Sequence, residues 1–223
     1  MSDGLADHFL LLALDDEGNH LVGDPALDYG LAGAVLLDLM LAGRIDLAGD
    51  QVVVTDATPT GDPVADAALD RVVLEKKPRK PDAWIQPLAD GLRGRLLDRQ
   101  VEAGVLRREQ DRVLWVFPRT RYASATGTEP AAETAVRRDL AAALDGDGPV
   151  PARTAALLGL VQAVDLARKL FPGRDKKELK ARIDAIGKDN WAADAVQQAV
   201  ARIQALIASM TAVSVATTVI TTS

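Results

Sequence analysis

Chemistry in this chain would have to come mainly from arginine. Arg93, Arg95 and Arg99 fall within seven residues, Arg107 and Arg108 follow, and Arg44 occupies an earlier stretch of similar pattern. A guanidinium presents a planar fork of N–H donors that can meet two phosphate oxygens at once, so arginines gathered on one surface form an anion site. Lys76, Lys77, Arg79 and Lys80 make a second basic group, and Arg168, Lys169, Arg174, Lys176, Lys177, Lys180 and Arg182 a third. Interspersed Asp90, Asp98, Glu102 and Asp111 give the arginines an alternative role as an ordinary solvated, charged face.

Other chemistries find little to work with. The chain has no cysteine, which removes disulfides, thiolate metal sites and cysteine nucleophiles and fits a reducing cytosol. Its two histidines, His8 and His20, are too few for a histidine-rich zinc site, and His8 sits in an apolar run where a structural role is expected. No Gly-x-Ser-x-Gly elbow, phosphate-binding glycine loop or dinucleotide turn occurs. Asp15-Asp16 belong to a turn, and Asp62 in Pro59-Thr60-Gly61-Asp62 reads as a helix cap. The expectation is a non-enzyme without metal or cofactor. With 26 basic and 32 acidic residues the net charge is −6, which argues against general nucleic-acid binding. No basic segment precedes an apolar stretch at the start, so no signal peptide is expected.

The elements that must position these residues can be read from periodicity. Of the 223 residues, 48% are apolar but only 4% aromatic, so an aliphatic core built largely on helices is expected. Residues 6–14 form an apolar run, helix or buried strand, closed by the turn Asp15-Asp16-Glu17-Gly18. Leu31, Val35, Leu36, Leu39 and Met40 then trace a helix from Asp28 to Ala42 that stops at Gly43. Residues 44–47 and 51–55 read as a hairpin. Pro63 opens a helix with Val64, Ala67, Ala68 and Val72 inward, and an exposed, linker-like loop spans 76–82. Trp84, Ile85, Leu88, Leu92, Leu96 and Val101 read as one helix ending at Ala103-Gly104. A second hairpin follows, with strands at 105–108 and 112–117 and its turn at Glu109-Gln110-Asp111.

The two helix–glycine–hairpin units superimpose with an offset of 61 residues, Gly43 on Gly104 and Asp50 on Asp111. From 129 to 223 the pattern is helical: Glu133–Leu144, Thr154–Leu170, Lys176–Ile186 and a last helix from about Asn190-Trp191. The 21 residues after Arg202 carry no charge, but their threonines and serines favour a core helix with a β-branched tail over a membrane span.

Several segments in register carry a family resemblance. They are Asp15-Asp16-Glu17-Gly18 after a leucine run, Leu41-Ala42-Gly43-Arg44-Ile45, Pro59-Thr60-Gly61-Asp62 with Asp66, Trp84-Ile85 with Leu88, and Arg95-Leu96 followed by Val101-Glu102-Ala103-Gly104-Val105-Leu106. In order over residues 9–117, and more weakly beyond, the chain resembles the Golgi phosphoprotein 3 family; its Ala- and Arg-rich usage suggests a bacterial member. The resemblance implies a mainly α fold: one compact helical domain over residues 1–223 with peripheral β-hairpins. Eukaryotic members bind phosphatidylinositol 4-phosphate at Golgi membranes and act as adaptors for glycosyltransferase tails. Carried over position by position, their headgroup pocket falls on Gly23, Ala32, Asp90 and Arg93, of which only Arg93 keeps the family's side chain. A hydrophobic, membrane-inserting hairpin is also implied, and Arg121-Tyr122-Ala123-Ser124-Ala125 is its mildly apolar counterpart.

Taken together, the expectation is a non-enzymatic, cytoplasmic protein that associates peripherally with a membrane or acts as an adaptor. Its anionic-headgroup site would be Arg93, Arg95 and Arg44, and its partners an anionic phospholipid headgroup or membrane surface, protein partners and further copies of itself. The competing expectation is a nucleic-acid-binding regulator using the two units as winged helices. The helix from Asp28 to Ala42, however, contains no Lys or Arg.

Overall fold

The first apolar run closes into a helix, α1 (Leu5–Leu12), in a computed structural model that describes residues 4–113 and 117–189 together with positions 205, 207 and 209. Leu5, Phe9, Leu10 and Leu12 have no exposed surface. A helix satisfies its own backbone groups in such surroundings, whereas a strand would need a neighbour. Next comes α2 (Ala26–Leu41), the centre of the core, with eleven of its sixteen residues buried. Around it pack α1, α3 (Pro63–Leu74), α4 (Asp82–Ala89), α5 (Leu92–Glu102) and α7 (Ala152–Ala163). Buried aliphatic residues from α1 through α9 (Lys176–Asp189) join in one hydrophobic cluster.

Asp62 caps α3 as its sequence implies: its Oδ1 accepts the N–H groups of Val64 (2.7 Å) and Ala65 (3.1 Å), and Pro63 takes the first helical position. The cap sets the helix phase. Ala65, Ala68, Leu69 and Val72 are buried and Ala67 is exposed, which corrects the inward set at Ala67. The single helix expected from Trp84 to Val101 is two. Pro87 lacks a helical N–H, and Gly91 adopts φ +64°, a left-handed turn that glycine enters without strain, so α4 ends at Ala89 and α5 begins at Leu92. Likewise the stretch 154–170 breaks at Asp165 (φ 56°) into α7 and the short α8 (Ala167–Leu170).

Both hairpins form, but they differ in length. Strands β1 (Ile45–Ala48) and β2 (Gln51–Val54) pair from Ile45↔Val54 to Ala48↔Gln51. Strands β3 (Leu106–Val113) and β4 (Phe117–Ser124) pair from Leu106↔Ser124 to Val113↔Phe117. Glu109, Gln110 and Asp111, expected to be the second turn, lie within β3 opposite Arg121, Thr120 and Arg119. In the ribbon Gln110 is exposed and Glu109 half-buried between Arg107 and Arg121, so a polar run here does not mark a reversal. Consequently the repeat shares its helix, glycine stop and first strand, and the second hairpin runs on for twice the length.

The remaining helix, α6 (Ala131–Asp145), packs on α1, α7 and α9. The described architecture is mainly α with peripheral β-hairpins, as expected. The helix expected from Asn190-Trp191 and most of the uncharged C-terminal stretch lie outside the described residues; Ile207 is fully buried. Among the described residues no helix is long and apolar enough to cross a membrane.

Candidate functional site

The three arginines expected to form one anion site occupy different places. Arg93, in the first turn of α5, lies beside the start of α2. Its Nη1 donates to Asp24 (2.5 Å), its Nε to Asp28 (3.1 Å), and His20 Nδ1 lies 3.5 Å from Nη1. A hollow of about 490 Å³ opens here, lined by Pro25, Asp28, Tyr29, Gln86, Asp90 and Arg93 among others. Burial pushes the Asp28 carboxyl above its ordinary value, with Arg93 pulling it back. Burial, then the Arg93 charge, pushes His20 below its ordinary value. One guanidinium is thus shared by two carboxylates, and a phosphate entering the hollow would compete with Asp24 and Asp28 and meet Asp90 in its lining.

Arg44 lies just past the other end of α2, whose stretch from Asp28 to Leu41 is roughly 20 Å long at 1.5 Å per helical residue. It pairs with Asp56, whose carboxyl is held below its ordinary value first by hydrogen bonds from Thr58 and then by Arg44. Arg95 is exposed, two residues from Arg93 and so on another side of α5; among the described residues it has no ion pair. Thus Arg93 and Arg44 sit at opposite ends of α2, each held by carboxylate, and Arg95 alone of the three points its charge to solvent.

The most buried ionic group was only partly legible from sequence. Arg99, on α5, bridges Asp7 of α1 and the cap residue Asp62, with Nη1–Oδ2 2.9 Å to the latter. Gln100 Nε2 donates to Asp7 (2.6 Å), while Asp38 of α2 accepts the Leu5 N–H (3.0 Å) and the Arg153 guanidinium (3.1 Å). Burial pushes Asp7 and Asp38 above the ordinary aspartate value; Arg99 opposes it at Asp7, and at Asp38 the Leu5 N–H and then Arg153 oppose it. The cluster ties α1, α2, α3, α5 and α7 together and borders a cavity of about 310 Å³. Nothing in the spacing of Asp7, Asp38 and Arg99 announces their meeting. The 61-residue offset does place Asp38 and Arg99 at equivalent positions of the two units.

The β3–β4 ribbon is anchored at its base. Leu106 and Ala123 are buried, Arg108 pairs with Asp98 on α5, and the Arg108 guanidinium lies 5.6 Å from the centre of the Tyr122 ring. Gly18 (φ +79°) receives the Tyr122 N–H at 3.1 Å. A Cβ at Gly18 would come within 2.4 Å of the Tyr122 backbone, so the turn after α1 docks on the ribbon only with glycine there. From Leu106 to Val113 the strand extends roughly 24 Å at about 3.4 Å per residue. Its paired ends are Val113 and Phe117, and the sequence joining them is Leu114-Trp115-Val116. The two strands carry five arginines against Glu109 and Asp111. Residues 121–124, read from the family resemblance as part of an apolar hairpin, pair with Leu106–Glu109 at the base of the ribbon and not at its far end.

Among the described residues no cluster of three or more His, Cys, Asp or Glu could hold a metal. Of the two helices that the winged-helix alternative would use, α2 has eleven of its sixteen residues buried, which leaves that helix no face for a nucleic-acid groove. A helical body around one central helix, with one short and one long β-hairpin at its periphery, defines an all-helical class of protein with appended ribbons. The sequence model of the Golgi phosphoprotein 3 (GPP34) family matches residues 5–203, and the chain belongs to that family.

Proposed function

We propose that this chain is a non-enzymatic protein that associates peripherally with an anionic membrane surface and serves there as an adaptor, with the β3–β4 ribbon as its membrane contact. The observation that carries this reading is the strand register: Val113 pairs with Phe117, so the far end of an arginine-rich ribbon is apolar in sequence from 113 to 117. An apolar end gains by entering the acyl boundary. Arg107 and Arg121 share Glu109 and Arg108 pairs with Asp98, so what favours lipid phosphates is the strands' excess of five arginines over two carboxylates, the second of two weak signals that together give stable binding. In this reading Arg95 adds exposed positive charge. Arg93 and Arg44 contribute less, since Asp24, Asp28 and Asp56 already neutralise them. The same carboxylates favour a general anionic surface over a single phosphoinositide headgroup as the ligand.

Co-sedimentation with vesicles tests the proposal. The protein is expected to pellet with phosphatidylglycerol–phosphatidylcholine vesicles and to remain in solution with phosphatidylcholine alone, and added salt should weaken the pelleting. Equal partition in the two cases would overturn it.

A further inference from the structure

Among the described residues, the large hydrophobic side chains that stand exposed are Val54 at the end of β2 (38%) and Val73 (45%) and Leu74 (79%) at the end of α3. Helix α3 and strand β2 are in contact, so these side chains stand on adjoining elements, with Val73 and Leu74 side by side at the end of α3. The chain continues directly into Lys76-Lys77-Pro78-Arg79-Lys80. That segment is held in place, because the Val52 N–H donates to the Arg79 carbonyl at 2.8 Å. Arg79 is paired with Glu75 and Lys80 with Asp50 (2.7 Å). Lys76 and Lys77 are exposed and have no ion pair among the described residues.

We infer that the end of α3 and the lysines after it form a second membrane contact: Leu74 and Val73 enter the interface of an anionic bilayer while Lys76 and Lys77 reach its headgroups. It deepens the membrane reading proposed above and rests on it. Charge complementarity selects the occupant. On a chain of net charge −6, two unpaired lysines next to projecting aliphatic side chains suit a negatively charged surface. Lysine stems can lie along apolar neighbours while the ammonium groups stay in the polar layer. Three aliphatic side chains without an aromatic anchor are too small a patch for a stable dimer, which needs about 800 Å² from each partner.

Two contacts locate the end of α3 and the base of the ribbon relative to α4 and α5. Arg71, three residues before Leu74, donates from Nη1 to the Pro87 carbonyl (2.6 Å). The end of α3 therefore lies beside the part of α4 that leads into Gly91 and α5. Strand β3 follows the far end of α5 and packs back on it, with Arg108 paired to Asp98.

The test measures the affinity of the full chain for phosphatidylglycerol–phosphatidylcholine vesicles in parallel with Leu74→Asp, Lys76→Glu/Lys77→Glu and Trp115→Asp variants. Each is checked for an unchanged thermal melt, and sedimentation velocity follows oligomeric mass. Leu74→Asp is expected to weaken vesicle binding by roughly tenfold or more, the scale of removing one buried leucine from an apolar environment. The double lysine variant should weaken it by about 25-fold or more, about fivefold for each lysine charge lost near the surface with the added glutamates increasing the loss, and the loss should shrink at high salt. If Trp115→Asp lowers binding and Leu74→Asp does not, the second contact is overturned and the ribbon reading stands. Should the unaltered chain bind no vesicle, both fail. A change in oligomeric mass for Leu74→Asp, with vesicle binding intact, would identify a second copy as the occupant and overturn the inference.

Discussion

The two helix–hairpin units start alike and end differently. Each has a helix stopped by a left-handed glycine, Gly43 or Gly104, and a strand that begins two residues later. In the first unit the strands are four residues long, joined by Gly49-Asp50, and the hairpin is closed against Arg79 of the following loop. In the second they are eight residues long and lead to an apolar end. Inward, the equivalent residues Asp38 and Arg99 both enter the buried ionic cluster, with opposite charge. The part of the pattern that faces the core is thus kept for stability, and the part that extends past it is where the units diverge and where a partner can be met.

Breaking the inward half should have the largest effect. Arg99→Ala would leave Asp7 and Asp62 without their bridging cation, and a loss of about 3–5 kcal/mol is expected by urea unfolding, as for other buried pairs deprived of one member. A loss below about 1 kcal/mol would mean that the cluster is solvated and not structural. Gly18→Ala should follow at about 2–3 kcal/mol, because it combines a left-handed φ with a backbone clash against Tyr122. The comparable change in the first unit, Gly49→Ala, has open space around its Cβ and should cost about 1 kcal/mol through φ alone.

Smaller effects sharpen the contrast through pH. Burial raises the native-state values of Asp7 and Asp38 above their unfolded values. In the window between the two, the folded chain holds more protons, so this contribution to stability is present at low pH and lost as pH rises. Asp38→Asn should remove its share of that decline, visible as a flatter urea midpoint from about pH 4 upward. A steeper decline in the variant would contradict the assignment. Smallest of all, Arg93→Ala is expected to change stability by about 1 kcal/mol or less, because its pairs with Asp24 and Asp28 are partly exposed, and to alter vesicle affinity less than Trp115→Asp.

Much of this was legible in sequence. Periodicity located α2 and its Gly43 stop, and Pro63 after Asp62 announced α3. The family resemblance supplied the arrangement of helices and hairpins, which the match over residues 5–203 bears out. Local signals failed where a polar run had two meanings: Glu109-Gln110-Asp111 has the composition of a turn and is instead the middle of a ribbon. They failed again where a break depended on one backbone angle, at Gly91 and Asp165. The gathering of Arg93, Arg95 and Arg44 could not be judged from spacing, because the carboxylates that hold two of them come from other elements or from a loop twelve residues away.

The most direct test of the membrane-contact claim is fluorescence from a chain in which Trp115 is the only tryptophan, with Trp84→Phe and Trp191→Phe substitutions, mixed with phosphatidylglycerol vesicles carrying brominated acyl chains. Insertion of the ribbon's end would shift the emission to shorter wavelength and quench it. Unchanged emission at saturating lipid would contradict the account.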